Sequence, residues 1–388
     1  MRTKMMVVDD EPDLESLIRQ KFRKQIREND YEFIFAQNGI EALAKIAEHP
    51  DTRLILSDIN MPEMDGLTLL HKLGDLKNPI LKAVIVSAYG DMENIRTAMN
   101  RGAFDFITKP IDFNDLELTI NKTLEQIELN RKSIEEHQQL VAVQHDLTIA
   151  SRIQQSILPQ IFPPFPDRSE FDIYAEMIPA KDVGGDFYDF FFIDHDRLAF
   201  VVGDVSGKGV PAAIFMAVSR TLLKAIASQV VNPGECLRRI NSMLIPEKKP
   251  TMFVTIFYGI LNTRTGEVQY SNGGHNSPYI MRAGGSVTAL ERTGGLFLGM
   301  IGNLDYDVKK ISLLPGDTLF MYTDGVTEAM DPENNQFEED RLVDCLRKPD
   351  GVSLEHLVKR VSTGIKQFVS DAPQSDDITM LAVRYKGR

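Results

Sequence analysis

Acidic and polar residues follow the short apolar segments of the N-terminal third, each at the point where a segment ends. Asp9 and Asp10 follow the first segment, Asp58 the third, Ser87 the fourth and Lys109 the fifth. Carboxylates held together repel one another unless a cation neutralises them, and Mg²⁺ prefers such oxygen ligands. Any one of these residues alone would be an ordinary polar strand end. Together they predict a metal-assisted phosphoryl site, with Asp58 as nucleophile and its phosphoryl oxygens shared among the metal, Ser87 and Lys109.

A second set of aspartates recurs in four short motifs of the C-terminal half, each beside an apolar segment. The motifs are 183–189 (VGGDFYD), 203–209 (GDVSGKG), 323–326 (TDGV) and 376–379 (DDIT). A buried carboxylate is costly without a partner, and too few basic residues lie nearby to pair so many acids. Oxygen ligands alone favour Mg²⁺ or Mn²⁺ over Zn²⁺. Two such ions about 3.5–4 Å apart could hold a bridging hydroxide for in-line attack on phosphorus. Each motif alone also fits a turn or a solvated pair.

Short apolar runs and amphipathic stretches alternate along residues 1–111, and these elements must position the polar residues of the N-terminal third. Amphipathic stretches such as Leu14–Ile26 separate five short apolar runs: Met5–Val8, Phe33–Ala36, Leu54–Leu56, Ala83–Val86 and Phe104–Ile107. This alternation predicts βα units and a doubly wound α/β domain with a parallel sheet. Ligands of such a sheet bind at the carboxyl ends of its strands, where the polar residues lie.

Strand-like segments outnumber helical ones from about Phe171 onward, and this favours sheets with helices packed on their outer faces. The expected helices are Ala212–Ser228, Gly234–Leu244 and Leu354–Phe368. The expected strands are Asp172–Met177, Phe187–Ile193, Leu198–Val202, Phe253–Leu261, Val268–Tyr270, Thr318–Tyr322 and Ile378–Tyr385.

A stretch without Gly or Pro, from Asp112 to Leu158, joins the two regions. It would be roughly 70 Å long as one helix at ~1.5 Å per residue, with Asp112 as N-cap. One apolar seam comprises Leu116, Ile120, Leu124 and Ile127, and a second comprises Leu140, Val143, Leu147, Ala150 and Ile157. Their phases do not match, so the register breaks near Glu135–Gln139. A coiled-coil dimer would bury these seams; the alternative is a helix packed on its own domains.

Composition narrows the function classes. The chain has 388 residues, with 43 Lys plus Arg against 56 Asp plus Glu and a net charge of −13. An acidic protein is poorly suited to general nucleic-acid binding. Two cysteines exclude a disulfide framework and suit a reducing compartment. No apolar run approaches the ~18 residues that span a bilayer. We therefore expect a cytoplasmic protein that binds neither nucleic acid nor membrane.

The N-terminal motifs, at 7–11 (VVDDE), 57–66 (SDINMPEMDG), 87–88 (SA) and 106–110 (FITKP), resemble those of response-regulator receiver domains. The resemblance covers residues 1–122. It implies that Asp58 accepts phosphate from a sensor histidine kinase. It also implies that Phe106 is a switch aromatic, which turns inward when Ser87 moves onto the phosphoryl group. The Mg²⁺ ligands it implies are Asp9, Asp10, Asp58 and the Asn60 carbonyl.

The C-terminal motifs resemble those of the SpoIIE-like bacterial branch of PPM-type metal-dependent protein phosphatases, from about residue 171 to the C-terminus. This family has a sandwich of two antiparallel sheets flanked by helices. Carried over motif by motif, Asp204 would bridge two Mg²⁺ or Mn²⁺ ions. Its co-ligands would be Asp186 and the Val205 carbonyl on one ion, and Asp324 and Asp376 on the other. Asp377 and Asp189 would support these ligands.

Two departures from the wider family concern the catalytic groups. No His stands beside the bridging aspartate as general acid, and no phosphate-binding Arg is evident, with Lys181 as a speculative substitute. His275, in the motif 272–276 (NGGHN), could touch substrate, although a structural role in a Gly-rich turn is favoured.

Together these features predict a receiver domain (1–122), a helical coiled-coil linker (123–158) and a PPM-type phosphatase domain (159–388). We predict a two-component-controlled serine/threonine phosphatase, acting on a phosphorylated anti-sigma-factor antagonist and dimeric through the linker. The alternative is a catalytically inactive, phosphatase-like adaptor that binds a sigma-factor regulator. A transcription factor is disfavoured because no basic recognition helix follows residue 122.

Overall fold

The computed structural model describes residues 2–88, 90–245, 252–347 and 352–387. The chain divides into two compact units, Met1–Val143 and Gln144–Arg388. Each unit is described by itself.

The first unit has five parallel strands in the order β2-β1-β3-β4-β5. The strands are β1 (Thr3–Val8), β2 (Tyr31–Ala36), β3 (Thr52–Asp58), β4 (Lys82–Ala88) and β5 (Asp105–Lys109). The helices are α1 (Pro12–Lys21), α2 (Arg23–Arg27), α3 (Gly39–Glu48), α4 (Gly66–Asp75), α5 (Met92–Asn100) and α6 (Phe113–Ile157). Alternate residues of each strand enter separate cores on the two faces of the sheet. The predicted doubly wound architecture is confirmed.

The long helix α6 extends from Phe113 to Ile157, close to the predicted bounds. The Asp112 carboxylate accepts a hydrogen bond from the Asn114 N–H at 2.7 Å, as expected of an N-cap. Leu116 and Ile120 are buried in a core of the first unit. The prediction that this first seam pairs with a second helix is therefore wrong, because its residues cover one face of the sheet.

The second unit contains two antiparallel five-stranded sheets, with the orders β13-β10-β9-β8-β7 and β12-β11-β14-β15-β6. The first sheet comprises β7 (Phe187–Phe192), β8 (Arg197–Val205), β9 (Val254–Asn262), β10 (Glu267–Gly273) and β13 (Lys309–Ser312). The second comprises β6 (Phe171–Ile178), β11 (Tyr279–Met281), β12 (Val287–Ala289), β14 (Thr318–Tyr322) and β15 (Ile378–Tyr385). One core contains residues from both sheets, such as Phe200, Phe257, Leu319 and Leu381. The predicted sandwich is confirmed.

Helices flank this sandwich: α7 (Val210–Ala227), α8 (Pro233–Leu244), α9 (Asp324–Thr327), α10 (Glu338–Leu346) and α11 (Leu354–Val369). By length and composition alone, α7 is apolar enough to cross a membrane. Five of its residues are buried, Ala212 and Met216 among them, and its Arg220 forms an ion pair with Asp189 of β7. These contacts are those of a helix packed on a core.

Candidate functional sites

The polar residues at the strand ends of the first unit converge on one lysine. Lys109 Nζ lies 2.7 Å from Asp58 Oδ2 and 3.0 Å from Asp9 Oδ2. Burial disfavours the charged lysine, but the hydrogen bonds to Asp58 and Asp9 outweigh it and raise the pKa of Lys109. Burial also raises the pKa of Asp9, against the Glu11 N–H and Lys109, which favour the carboxylate. The lysine therefore partly neutralises two buried acids.

The same edge of the sheet suits a hard cation. Asp9, Asp10 and Asp58 each offer a carboxylate oxygen, and these three oxygens lie within 4.8 Å of one another. Asp9 and Asp58 are buried, whereas Asp10 is exposed. Because a small oxygen-liganded ion needs several anionic oxygens at short range, this donor set fits Mg²⁺.

The predicted set for this site also includes Ser87, Phe106 and Asn60. The Ser87 hydroxyl donates to Asp91 Oδ2 at 3.4 Å. The Phe106 side chain is 37% exposed, so it does not point into the core in this structure. Asn60 is exposed, two residues beyond Asp58.

Gly66 lies against the Asp58 carbonyl, where an added Cβ would clash with the backbone. The glycine of the 57–66 motif therefore permits this close approach.

The aspartates of the second unit come from adjacent ends of both sheets. Asp186 precedes β7 and Asp204 lies near the end of β8, whereas Asp324 follows β14 and Asp376 precedes β15. Thr323 Oγ1 donates a hydrogen bond to Asp186 Oδ2 at 2.6 Å, across the two sheets. The folding of the sandwich thus brings together acids that are separated by almost 200 residues of sequence.

The electrostatics of these aspartates reflect their crowding. Burial, and then the nearby Asp204 carboxylate, raise the pKa of Asp186 well above its usual range. Burial, and then the charge of Asp324, raise the pKa of Asp204 to about 7, although a hydrogen bond with Asp186 opposes this shift. Burial, followed by the charges of Glu328 and Asp376, raises the pKa of Asp324. Each shift reports unfavourable negative charge, which bound cations would relieve.

The donor set fits cations that are shared among several ligands. A Cβ added at Gly185 would lie 2.9 Å from the Val205 carbonyl oxygen, so glycine leaves room beside that oxygen. Within the described chain, only Asp9, Asp10 and Asp58 bring three acidic ligand atoms within 4.8 Å of one another. The ligand atoms of Asp204, Asp324 and Asp376 are therefore farther apart in the described structure than three ligands of one bound ion would be.

Asp377 and Asp189 hold the surrounding backbone and helices. Asp377 accepts the Ala180 N–H on Oδ1 at 2.8 Å and the Gly185 N–H on Oδ2 at 2.7 Å. Asp189 Oδ2 lies 2.7 Å from Arg220 on α7, and both side chains are nearly buried. Each carboxylate is thus engaged with groups of the protein itself.

Within the described ranges of the chain, neither His275 nor Lys181 forms a hydrogen bond or an ion pair with Asp186, Asp204, Asp324 or Asp376. His275 Nδ1 lies 2.8 Å from Thr255 Oγ1, and burial lowers its pKa to about 4, so its ring is neutral at pH 7. Its backbone N–H donates to the Asn272 side chain at 2.7 Å, within the Gly-rich turn. Lys181 is exposed.

Two residues that sequence reasoning did not single out contact the site. Lys208 Nζ lies 2.9 Å from Asp376 Oδ2 and also donates to the Ser375 carbonyl. Gln154 of α6 donates to the Gly184 carbonyl at 2.6 Å and accepts the Gly184 N–H at 3.0 Å. The sequence contained a feature that could have identified each residue. Lys208 lies inside the 203–209 motif, and Gln154 takes a position of the second seam where an apolar residue is expected.

The folds and sites together define a receiver domain joined to a PPM-type phosphatase domain. The profile of the response regulator receiver domain matches residues 5–121. The profile of stage II sporulation protein E (SpoIIE) matches residues 194–386. The chain therefore combines a response regulator receiver domain with a SpoIIE-type PPM phosphatase domain.

Individual relatives agree with this assignment. The chain is 32% identical to protein IcfG of Synechocystis over 267 residues, 61% of this chain but only 41% of IcfG. It is 28% identical to phosphoserine phosphatase RsbU of Bacillus subtilis over 257 residues, 65% of this chain and 75% of RsbU. The PP2C domain of SiaA from Pseudomonas aeruginosa has the same fold, with a TM-score of 0.56 and 23% identity over 63% of this chain and 98% of that one.

Proposed function

We propose that this protein is a metal-dependent protein serine/threonine phosphatase whose activity is controlled by phosphorylation of Asp58. The observation that carries the phosphatase proposal is the convergence of Asp186, Asp204 and Asp324 from the ends of both sheets. Their burial and mutual repulsion raise their pKa values and favour bound divalent cations. The similarity to RsbU, named a phosphoserine phosphatase, supports the same activity.

Five groups would hold two Mg²⁺ or Mn²⁺ ions: the Asp186, Asp204, Asp324 and Asp376 carboxylates and the Val205 carbonyl. Asp204 would be the ligand that the two ions share. When bound, such ions supply a hydroxide nucleophile at neutral pH and stabilise charge on the phosphoryl oxygens.

The chain's own residues orient these ligands. The Thr323 hydroxyl donates a hydrogen bond to Oδ2 of Asp186 and so fixes the orientation of that carboxylate. Asp377 accepts a hydrogen bond from the Gly185 N–H and so holds in place the loop that carries Asp186. Because the sequence has no histidine beside Asp204 to act as general acid, we assign protonation of the leaving serine or threonine oxygen to water.

Control by the receiver requires a physical connection from Asp58 to this loop. A sensor histidine kinase would phosphorylate Asp58, and a receiver-bound Mg²⁺ and Lys109 would neutralise the added charge. In the second unit, Gln154 of α6 holds Gly184, two residues before Asp186, by two hydrogen bonds. A small movement of α6 would therefore shift a metal ligand directly. We expect phosphorylation to activate the enzyme.

The proposed substrate is a phosphoserine or phosphothreonine on an anti-sigma-factor antagonist, acted on in the cytoplasm by a homodimer. The dimer would form through the second seam of α6, where Leu140 and Val143 are 66% and 57% exposed. Exposed apolar residues in a heptad pattern favour a coiled coil.

The decisive experiment follows dephosphorylation of a phosphorylated antagonist protein in Mn²⁺, with and without acetyl phosphate. The wild type should turn over, and Asp204→Asn should lower the rate at least about 100-fold by removing the bridging ligand. Asp371→Asn, the same change at an exposed aspartate, is the matched control and should be fully active.

The control by the receiver is tested in the same assay with Asp58→Ala. Acetyl phosphate should raise the wild-type rate and the mass of the wild-type chain, and should change neither in the variant. Equal rates in all conditions would leave a phosphatase without this switch. If Asp204→Asn and wild type were equally inactive while both bound the antagonist, the protein would be an adaptor and the phosphatase proposal would fail.

A further inference from the structure

A groove of about 470 Å³ lies on the face of the second sheet that α11 covers, between α11 and the loop that precedes β15. Its volume is within the range of about 300–1,000 Å³ that is common for ligand sites. Gly325 and Ser375 line one end of it. These residues directly follow Asp324 and directly precede Asp376, and consecutive Cα atoms are about 3.8 Å apart. The groove therefore begins beside the proposed metal site.

The floor of this groove is apolar. Ile178, Ile365 and Ile378 pack in the core beneath α11, and they line the groove together with Ala329 and Met330. Met330 is 37% exposed, so it presents apolar surface to solvent. An apolar side chain that entered the groove would remove this surface from water, which is favourable. The groove thus suits an apolar side chain of a ligand.

The rim of the groove carries an excess of positive charge. Among the described residues that line it, the ionisable ones are Lys359, Lys366 and Glu176. The Glu176 carboxylate accepts a hydrogen bond from Ser362 of α11, and Lys359 pairs with Glu355 one turn away. Lys366 is exposed and forms no ion pair with any residue that the structure describes. It is therefore available to an acidic group of a ligand.

The loop between α11 and β15 forms one wall of the groove, and it carries the proposed metal ligand Asp376. Gln374 Nε2 donates to the Ile178 carbonyl at 2.8 Å and to the Asp376 carbonyl at 2.7 Å. Lys208 Nζ donates to the Ser375 carbonyl. These bonds hold the wall in place before a ligand arrives, which lowers the entropy lost on binding.

The position of the groove indicates what kind of ligand enters it. A protein substrate whose phosphoserine or phosphothreonine reaches the metal site must extend its chain away from that site. An extended chain advances ~3.3 Å per residue, so residues two or three places from the phosphorylated one lie about 7–10 Å away. That reach brings them over a groove that begins one residue from Asp324 and Asp376.

We propose that this groove binds the segment of a protein substrate that flanks its phosphorylated residue, with an apolar side chain on the floor and an acidic side chain at Lys366. The proposal rests on the proposed phosphatase function and adds its specificity, because the enzyme then selects phosphorylation sites with such neighbours. The groove residues are separate from the proposed metal ligands. Binding of the flanking segment and turnover of the phosphate are therefore measured separately.

Fluorescence anisotropy of labelled phosphopeptides measures the binding step alone. The sample is the full-length Asp204→Asn protein in EDTA, so that neither metal nor turnover contributes. One peptide has leucine and glutamate on both sides of its phosphoserine, and its control peptide has alanine and glutamine there. We expect the first peptide to bind at least about ten-fold more tightly, because leucine buries more apolar surface than alanine.

The Lys366→Glu variant tests the charge at the rim. It should weaken binding of the leucine–glutamate peptide about five-fold or more, because it replaces an attraction with a repulsion. A third peptide, with leucine and lysine, should instead bind this variant more tightly than the parent protein. Such a reversal requires a folded groove and so excludes misfolding. Lys310→Glu, the same charge reversal on β13 of the other sheet, should change either affinity less than about two-fold.

Turnover is measured on the chain with Asp204 intact, in Mn²⁺, with the same peptides and with p-nitrophenyl phosphate. Lys366→Glu should lower kcat/KM for the leucine–glutamate peptide about five-fold or more. It should leave kcat/KM for p-nitrophenyl phosphate unchanged, since this compound has no flanking segment. If the peptides bind with the expected preference and none is hydrolysed, the phosphatase proposal fails and the groove proposal stands.

Three results would overturn the groove proposal while hydrolysis of p-nitrophenyl phosphate upheld the phosphatase. The first is equal binding of the leucine–glutamate and alanine–glutamine peptides, and the second is equal binding of each peptide to the parent protein and Lys366→Glu. The third is that no peptide binds while Lys366→Glu converts a dimer into a monomer in light scattering. The groove would then bind a second copy of the chain.

Discussion

At the scale of single residues, the second unit concentrates negative charge where folding alone would avoid it. Asp186 is buried beside Asp204, and among the residues that the structure describes no basic side chain forms an ion pair with either. Replacing buried charged groups with neutral ones is often stabilising. Stability does not account for the placement of these acids, and this supports the proposed metal site.

This crowding predicts how pH and metal act on stability. Between about pH 4 and 7 the folded Asp204 carboxyl holds a proton that the unfolded chain, with a pKa of 3.8, has released. The metal-free protein therefore loses stability as pH rises through this range. Mn²⁺ at ~100 times its Kd should raise the Tm by about 5–10 °C at pH 8 and by less at pH 5, where protons compete.

Thermal melts at both pH values, with and without Mn²⁺, measure this effect. The Asp58→Asn variant, which alters the receiver acids, should keep the pH-dependent rise in Tm on addition of Mn²⁺. The Asp204→Asn variant should lose most of that rise. An equal increment at the two pH values would show that the Asp204 carboxyl does not participate in metal binding.

Lys208 gives a second prediction, because its ammonium competes with a cation for Asp376. A half-exposed ion pair contributes about 0.2–1 kcal/mol, so Lys208→Met should tighten Mn²⁺ binding by up to about five-fold. Calorimetric titration of the Asp58→Asn background isolates the second-unit ions. The exposed Lys181→Met is the control, and weaker Mn²⁺ binding in Lys208→Met would refute the competition.

Lys208 also illustrates what the sequence left open. The aspartates could be predicted because four acids beside apolar segments require a common partner. Lys208 lies among three glycines in a loop, and sequence does not determine where a long flexible side chain ends. Its contact with Asp376, 168 residues away, exists only once both sheets are folded.

At the scale of elements, the strands with continuous apolar runs were predicted to within a few residues, as for β14 and β15. The short strands β11, β12 and β13 were not predicted. β13 has half-exposed Lys309 and Lys310 and pairs with β10 at the edge of its sheet. Its strand conformation comes from this pairing, since its own composition is polar.

The two halves of α6 give a prediction about assembly. Ile120 is buried in the first unit, so Ile120→Asp should destabilise that unit by roughly 3 kcal/mol or more, whereas the exposed Leu118→Asp should not. Leu140 and Val143 are exposed, so Leu140→Asp with Val143→Asp should convert a dimer into a monomer without changing the helical circular dichroism. Light scattering measures the mass, and a wild-type monomer would contradict the proposed dimer.

Gln154 predicts that α6 also supports the metal-binding loop. Gln154→Leu keeps the volume but leaves two buried backbone groups of Gly184 without partners, at a cost of about 1–3 kcal/mol. We expect weaker Mn²⁺ binding in calorimetric titration and about ten-fold lower kcat. The exposed neighbour Gln155→Leu is the matched control. Unchanged Mn²⁺ affinity would assign Gln154 a purely structural role.

At the scale of the whole molecule, one continuous helix belongs to both compact units, whose division falls between Val143 and Gln144. The hydrogen bonds of an α-helix make it stiff, so rotation or translation at one end is transmitted to the other. The apolar phase changes near Glu135–Gln139, before the second seam begins. We therefore propose that this helix transmits the signal mechanically, with one change of apolar phase along its length.

This link predicts that phase, and not length, carries the signal. Inserting four residues after Glu136 turns the distal helix by about 40°, and also shifts the heptad seam. Inserting seven residues lengthens the helix more but keeps the seam in phase. Acetyl phosphate should therefore stimulate the seven-residue variant and fail to stimulate the four-residue variant, as measured by release of phosphate from the antagonist. Equal stimulation of both variants would make α6 a tether, because a tether is indifferent to the rotation of the groups that it joins.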